Sequence, residues 1–120
     1  MREPTEEEDW IIRFLLKKAR HEYSLSIQLE SYLVQEMQDG NMGSLYIIPD
    51  GSPPMNERET GPMVAEIHPA DVDGVELFIN LFLDTNQVPF ELDIWKVDFS
   101  PLRSLSNVVS FLRKKTEGIG

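Results

Sequence analysis

The residues best suited to chemistry are Glu91, Asp93 and Trp95, which alternate with apolar residues near the C-terminal end of the chain. In an extended strand this period-two alternation places all three side chains on one face of a sheet. The two carboxylates would then be about 6–7 Å apart, near the separation used by glycosidic acid–base pairs. Solvated carboxylates on strands are far commoner, and a domain of 120 residues has little room for a sugar cleft. We therefore expect no glycosidase chemistry from this pair.

A metal site is the second kind of chemistry that the residue types allow. His68, Asp71 and Asp73 are close in sequence and can offer an imidazole and two carboxylates to a divalent cation. Glu66 can join them, so an alternative hypothesis is a small metal-dependent or acid/base enzyme that uses these four residues. Against it, the stretch 71–74 has the composition of an ordinary tight turn, and a further ligand cannot be assigned.

The same region also predicts a recognition surface. On a sheet face, carboxylates can steer a partner while aromatic rings anchor it. The residues expected to make this contact, with Trp95 as the anchor, are Glu66, Phe78, Glu91, Asp93 and Trp95. The alternative is that an N-terminal hairpin or a long loop half covers this face, so that its aromatic residues fill a minor core.

The elements that must position these residues begin with helices. The sequence Thr-Glu-Glu-Glu at 5–8 is a capping-box pattern, which predicts a helix over about 5–20. A second helix is predicted over about 24–30, because its leucines fall on one side. Residues 1–31 therefore form the expected helical part of the protein.

Period-two alternation and turn residues predict a sheet over residues 32–99. A hairpin pairs 32–37 with 44–48 across a glycine-containing turn, and the proline- and glycine-rich stretch 49–62 is expected to be a long, mobile loop. An antiparallel meander follows, with strands over 63–68, 75–84 and 90–98. Residues 100–120 form a C-terminal extension, in which Ser104 or Ser106 can cap a short helix.

The core is expected where the helices meet the apolar face of the meander. Its predicted members are Trp10, Phe14, Leu15, Leu77, Ile79, Leu92 and Ile94.

Composition excludes several classes of function. The formal net charge is −10, from 21 acidic and 11 basic residues. Nucleic acid and anionic membranes are therefore unexpected partners, because both would be repelled over a Debye length of about 10 Å. The absence of cysteine rules out a thiol nucleophile, a disulfide framework and a thiolate zinc site, and it fits a reducing cytoplasm. We expect no cofactor, no apolar signal region and no membrane-spanning segment.

Several motifs resemble those of a family of small uncharacterised bacterial proteins. They are Arg-x-Pro-Thr-x-Glu-Glu from Arg2, Met-x-x-Gly-x-Met-Gly-Ser-Leu from Met37, Asp-x-Asp-Gly-Val from Asp71 and Phe-Glu-Leu-Asp-Ile-Trp-Lys-Val-Asp-Phe-Ser-Pro-Leu from Phe90. The resemblance leaves out the 49–62 loop and the tail beyond about residue 102. Some similar acidic proteins are encoded beside polymorphic toxins, so the resemblance implies an immunity role by association.

The sequence thus predicts one α+β domain over residues 1–120, with N-terminal helices packed on a mainly antiparallel meander. The predicted function is that of a cytoplasmic, non-enzymatic module that binds a basic protein, such as an immunity protein to a basic toxin.

Overall fold

Two helices and a five-stranded antiparallel sheet make up the described part of the chain, residues 1–23 and 27–117, in a computed structural model. The α+β class predicted from the sequence is confirmed. Neither of these helices is long and apolar enough to cross a lipid bilayer. The elements, in chain order, are α1 (Glu6–Tyr23), β1 (Tyr32–Glu36), β2 (Leu45–Pro49), a single 3₁₀ turn (Met55–Glu57), β3 (Thr60–Ile67), β4 (Leu77–Asp84), β5 (Pro89–Lys96) and α2 (Leu105–Glu117).

The predicted capping box starts α1. The Thr5 hydroxyl accepts a hydrogen bond from the Glu8 backbone N–H at 3.1 Å, and the Glu8 carboxylate accepts one from the Thr5 N–H at 2.8 Å. Arg2 donates through both terminal nitrogens to the same carboxylate, at 2.8 and 2.9 Å. Burial alone would raise the pKa of Glu8, but Arg2 and the Thr5 N–H lower it below its ordinary value.

The predicted second helix is not found in the part of 24–30 that the structure describes. Residues 27–30 have no regular secondary structure, and 24–26 lie outside the described residues. Ile27 and Leu29 are buried while the residues between and after them are exposed, so this segment buries every second side chain, as an extended chain does. The second helix of the fold is instead α2. Ser104 caps its start as predicted, because the Ser104 hydroxyl accepts a hydrogen bond from the Asn107 N–H at 3.0 Å.

The strand order in the sheet is β1-β2-β5-β4-β3, with every neighbouring pair antiparallel. Strands β3, β4 and β5 form the predicted meander, and β1 and β2 form the predicted hairpin. The sheet as a whole is not strictly a meander, because the hairpin joins it through pairing of β2 with β5, where Leu45 lies opposite Leu92.

One face of the sheet, called the inner face here, packs against α1 and carries the core. Leu15, Leu77, Ile79, Leu92 and Ile94 are fully or almost fully buried, as predicted, while Trp10 and Phe14 are partly buried at the margin of the core. Helix α2 adds Val108, Val109 and Leu112, and it packs on α1. The opposite face, called the outer face here, carries the intervening residues of the strands.

The 49–62 loop is tied to the sheet by a buried arginine, although its composition suggested mobility. Arg58 donates to the Asp84 carboxylate at 2.9 Å and to the carbonyl oxygens of Ile47 and Pro89, each at 2.7 Å. Its guanidinium also lies over the ring of Phe90, 4.9 Å from the centroid. Phe90 itself is buried beside a shift in the β4–β5 register, and its ring also contacts Tyr46.

Both edges of the sheet carry features that interrupt strand pairing. At the β1 edge, the backbone of Arg2 pairs with Val34 through two hydrogen bonds, at 2.9 and 2.7 Å. At the β3 edge, Pro62 lacks an N–H donor, and the register with β4 shifts twice between Thr60 and Ala65.

Candidate functional site

A row of four rings crosses one end of the outer face, and we call it the aromatic row: His68, Phe78, Trp95 and Phe99. His68 meets Phe78 edge-on with centroids 4.3 Å apart, and Phe78 stacks on Trp95 at 5.1 Å. Trp95 then meets the ring of Phe99 edge-on at 5.7 Å. Each ring thus supports its neighbours, so the row is a rigid apolar ridge on the sheet.

Phe99 stands in a backbone conformation that suits glycine rather than phenylalanine. Its φ is +62°, in the left-handed region, at the end of a tight turn closed by its N–H donating to the Lys96 carbonyl at 2.9 Å. A bulky residue is unfavourable there. Its side chain is also 70% exposed, so core packing does not explain its presence. Unfavourable backbone geometry combined with an exposed ring is typical of a residue retained for contact with another molecule.

A polar row lies beside the aromatic row and runs across three strands. Strand register places Glu66 of β3 opposite Asn80 of β4, and Asn80 opposite Asp93 of β5. We call these three residues the polar row. Beyond it, Phe82 and Glu91 lie opposite each other, and Met63 is the neighbour of Phe82 on β3.

The hydrogen-bonding capacity of the polar row is largely unused within the described residues. The amide oxygen of Asn80 is shielded from solvent and accepts no hydrogen bond. Glu66 contacts the imidazole of His68, and Asp93 meets only the Ser44 hydroxyl, at 3.4 Å. Burial, followed by repulsion from Asp93, raises the pKa of Glu91 above its ordinary value. Among the described residues, neither Glu91 nor Asp93 forms an ion pair, whereas Glu66 lines a pocket with Lys18 and Lys115.

The structure places all five residues of the predicted recognition surface on the outer face. Phe78 and Trp95 stack in the aromatic row, and Glu66 and Asp93 flank Asn80 in the polar row. Glu91 is half-buried next to them. The strand alternation in the sequence thus brings these residues together as expected.

The residues of the metal hypothesis are arranged differently. The Lys96 ammonium lies between the two aspartates and donates to Asp71 at 2.9 Å and to Asp73 at 2.6 Å, while His68 points toward Glu66. Among the residues that the structure describes, no group of three histidine, cysteine, aspartate or glutamate side chains could hold a metal ion. The two aspartates already have a cation as their partner.

Lys96 and Asp71 also anchor the start of α2. Lys96 donates to the Pro101 carbonyl at 3.2 Å, and the Asp71 carboxylate accepts from the backbone N–H groups of Arg103 and Ser104 at 2.7 and 3.1 Å. Burial opposes charge on both groups, but their hydrogen bonds prevail: the pKa of Asp71 is lowered and the pKa of Lys96 is raised. The cluster is therefore a structural one that joins the β3–β4 turn, β5 and α2.

Three important residues escaped the sequence analysis. Strand parity would place Lys96 on the inner face with Leu92 and Ile94, but lysine is almost never fully buried, so the sequence offers no reason to pair it with the acidic 71–74 turn. Asn80 belongs to none of the motifs found in the sequence. The left-handed conformation of Phe99 had one indication in the sequence, the turn formers Asp98, Ser100 and Pro101 around it.

In a comparison with known protein families, residues 1–106 match the domain of unknown function DUF6984. No curated protein and no solved structure matches the chain. The matched segment contains the whole sheet, both rows of the outer face and the cluster around Lys96. The chain therefore belongs to the DUF6984 family.

Proposed function

We propose that this protein is a non-enzymatic binding module of the bacterial cytoplasm, and that its outer face binds a basic protein. An immunity protein that neutralises a basic toxin is the specific form of this proposal. The observation that carries it is the aromatic row, in which Trp95 is 38% exposed and Phe99 is held at positive φ with its ring in solvent.

The chemistry of the outer face fits a protein partner. Aromatic residues supply much of the binding energy at protein interfaces, and they do so best on a rigid support. The stacked pair of Phe78 and Trp95, fixed on neighbouring strands, provides such a support. Phe99 extends the apolar ridge into solvent.

The charge of the chain favours a basic partner. A net charge of −10 attracts basic proteins over the Debye length and accelerates their association at low salt. Glu66, Glu91 and Asp93 add local negative charge next to the anchoring rings. These carboxylates would steer and orient the partner more than they would hold it.

Affinity capture from a lysate of the native host tests the proposal. The bait is the full chain, compared with the double variant Trp95→Ala, Asp93→Ala. The matched control is Tyr23→Ala, Glu30→Ala, which removes an exposed ring and an exposed carboxylate that lie outside the sheet. We expect a basic protein that is captured by the wild type and the control, is lost with the outer-face variant, and is released at high salt.

A second pair of variants isolates Phe99. Phe99→Gly removes the ring at a position whose backbone suits glycine, so it should weaken capture without lowering the melting temperature. Gln87→Gly, at φ +63° in the β4–β5 turn, is the matched control and should capture normally. Equal capture by the outer-face variants and the wild type would reject this face as the interface. If the captured protein is a toxin, co-expression of wild type, but not of the outer-face variant, should restore host growth.

A further inference from the structure

The polar row is the part of the outer face that the aromatic anchors do not explain. The two buried aspartates of the fold are satisfied by donors: Asp71 accepts three backbone N–H groups and the Lys96 ammonium, and Asp84 accepts Arg58 and two N–H groups. The polar row has fewer donors. Glu66 contacts only the His68 imidazole, Asp93 meets only the Ser44 hydroxyl, and the Asn80 oxygen meets no donor among the described residues.

Asn80 is the central residue of this contrast. Its shielded amide oxygen lacks a donor within the described residues, a state that costs stability and that an apolar side chain would avoid. Strand register places Asn80 on the outer face between Glu66 and Asp93, with Phe78 and Phe82 two residues away along β4. Rotation about the soft terminal torsion of asparagine can turn its oxygen toward a ligand lying on the row.

We propose that the polar row is a subsite for an arginine side chain of the basic partner. This inference rests on the proposed function and specifies which side chain the outer face selects. Three acceptors spaced across neighbouring strands, about 4.8 Å apart, suit a planar group with several donors in one plane. A guanidinium has five such N–H donors, whereas an ammonium is a compact point charge.

The walls of the subsite also favour arginine. The aromatic row borders the polar row on one side, and Phe82 and Met63 border it on the other. Arginine is more weakly hydrated than lysine and tolerates apolar surroundings better. Burial and then repulsion from Asp93 raise the pKa of Glu91, and a cation docked beside Asp93 would relieve that repulsion.

Titration of the isotope-labelled full chain with blocked amino acids, followed by NMR at low salt, tests this subsite without the partner. The probes are the N-acetyl methylamides of arginine, lysine and citrulline, of which citrulline has the shape of arginine without its charge. We expect saturable shifts of the Asn80 side-chain amide and the Trp95 indole N–H with arginine. Lysine should bind about fivefold or more weakly, and citrulline should cause no shift.

Two variants and one control complete the test. Asp93→Asn and Asn80→Leu should each abolish the arginine shifts at Trp95, while Glu30→Gln, which removes one negative charge elsewhere, should leave them unchanged. Asn80→Leu should also raise the melting temperature, because it removes the shielded acceptor; a purely structural role for Asn80 predicts the opposite change.

The outcomes separate this inference from the proposed function. Equal affinity for arginine and lysine, retention of the shifts in Asp93→Asn, or no saturable shift at all would overturn the subsite. If any of these results accompanied partner capture that depends on Trp95, the binding function would stand without the arginine subsite. Arginine binding without any captured partner would leave the subsite intact and reject the proposed function.

Discussion

Trp95 and Lys96 are adjacent in β5, and each lies where the other residue type is usually found. The indole of Trp95 is 38% exposed on the outer face, whereas the Lys96 side chain is 0% exposed on the inner side of the strand. Lysine is buried here because each of its three N–H donors finds an oxygen, on Asp71, Asp73 and Pro101. The exposed tryptophan has no comparable structural reason.

The comparison of these two neighbours distinguishes an unusual residue that the fold explains from one that the fold does not explain. An unusual buried residue whose partners are all present is explained by the fold itself. An unusual exposed residue, next to a strand whose Asn80 oxygen lacks a donor among the described residues, suggests contact with another molecule. Substitutions on β5 should therefore divide into those that unfold the protein and those that leave it folded but unable to bind.

The largest effect is expected from Lys96→Met. It leaves the buried Asp71 carboxylate without its cation, and removing one member of a buried ion pair is strongly destabilising. We expect the melting temperature to fall by roughly 10 °C or more, as measured by circular dichroism. Adding Asp71→Asn should recover part of the loss, because the unpaired charge is then removed. If the double variant is no more stable than Lys96→Met alone, the ammonium does not stabilise the fold through Asp71.

The next effect is expected from Leu92→Ala on the inner face. Leu92 is fully buried opposite Leu45 and Leu81, so its truncation should cost about 2–5 kcal/mol in the free energy of unfolding. Asp93→Ala, one residue later on the outer face, should change stability by less than about 0.5 kcal/mol. Urea denaturation of both variants measures the contrast, and similar losses for the two would contradict the assignment of faces.

A smaller effect is expected from Trp95→Ala. The variant loses the stack on Phe78 and the buried part of the indole, which should cost about 1–2 kcal/mol. The protein should remain folded, with an unchanged far-ultraviolet circular dichroism spectrum. Unfolding of this variant at room temperature would show that the aromatic row is a second core rather than a binding ridge.

The smallest of these effects, a slight gain in stability, is expected from Glu91→Gln. The folded-state pKa of Glu91 is raised above 4.5, so its ionised form destabilises the fold above that raised pKa, and the penalty disappears below pH 4.5. The variant should be slightly more stable than wild type at pH 7 and equal to it at pH 4. The lowered pKa values of Asp71 and Asp84 have the opposite sign, since their stabilisation is lost as the pH falls through those values. Thermal melts from pH 3 to 8 measure both trends.

Local patterns in the sequence predicted the elements that depend on local physics. The capping box gave the start of α1, and alternation in β4 and β5 gave the two faces of the sheet, because both patterns involve residues near one another in the chain. The error at 27–30 is also local. Ile27 and Leu29 are two residues apart, and this period-two burial indicates an extended chain more than the leucine spacing indicates a helix.

Long-range partners could not be predicted in the same way. The pairing of Leu45 with Leu92 closes the sheet, and Arg58 reaches Asp84, yet no nearby residue in either case identifies the partner. The candidate site divides similarly. Its carboxylates and Trp95 followed from strand alternation, whereas the shielded oxygen of Asn80 and the left-handed backbone of Phe99 depend on the folded surroundings.

The interrupted edges of the sheet determine how a partner can approach. Arg2 pairs with β1 at one edge, and Pro62 with two register shifts disrupts β3 at the other, so neither edge is a continuous template for an added strand. Backbone-mediated sheet extension, which tolerates most side-chain changes in the binder, is therefore disfavoured. The recognition proposed for the outer face would instead depend on side chains. A single exchange there can redirect specificity while leaving the fold intact, so members of one family could diverge rapidly in the partners they choose.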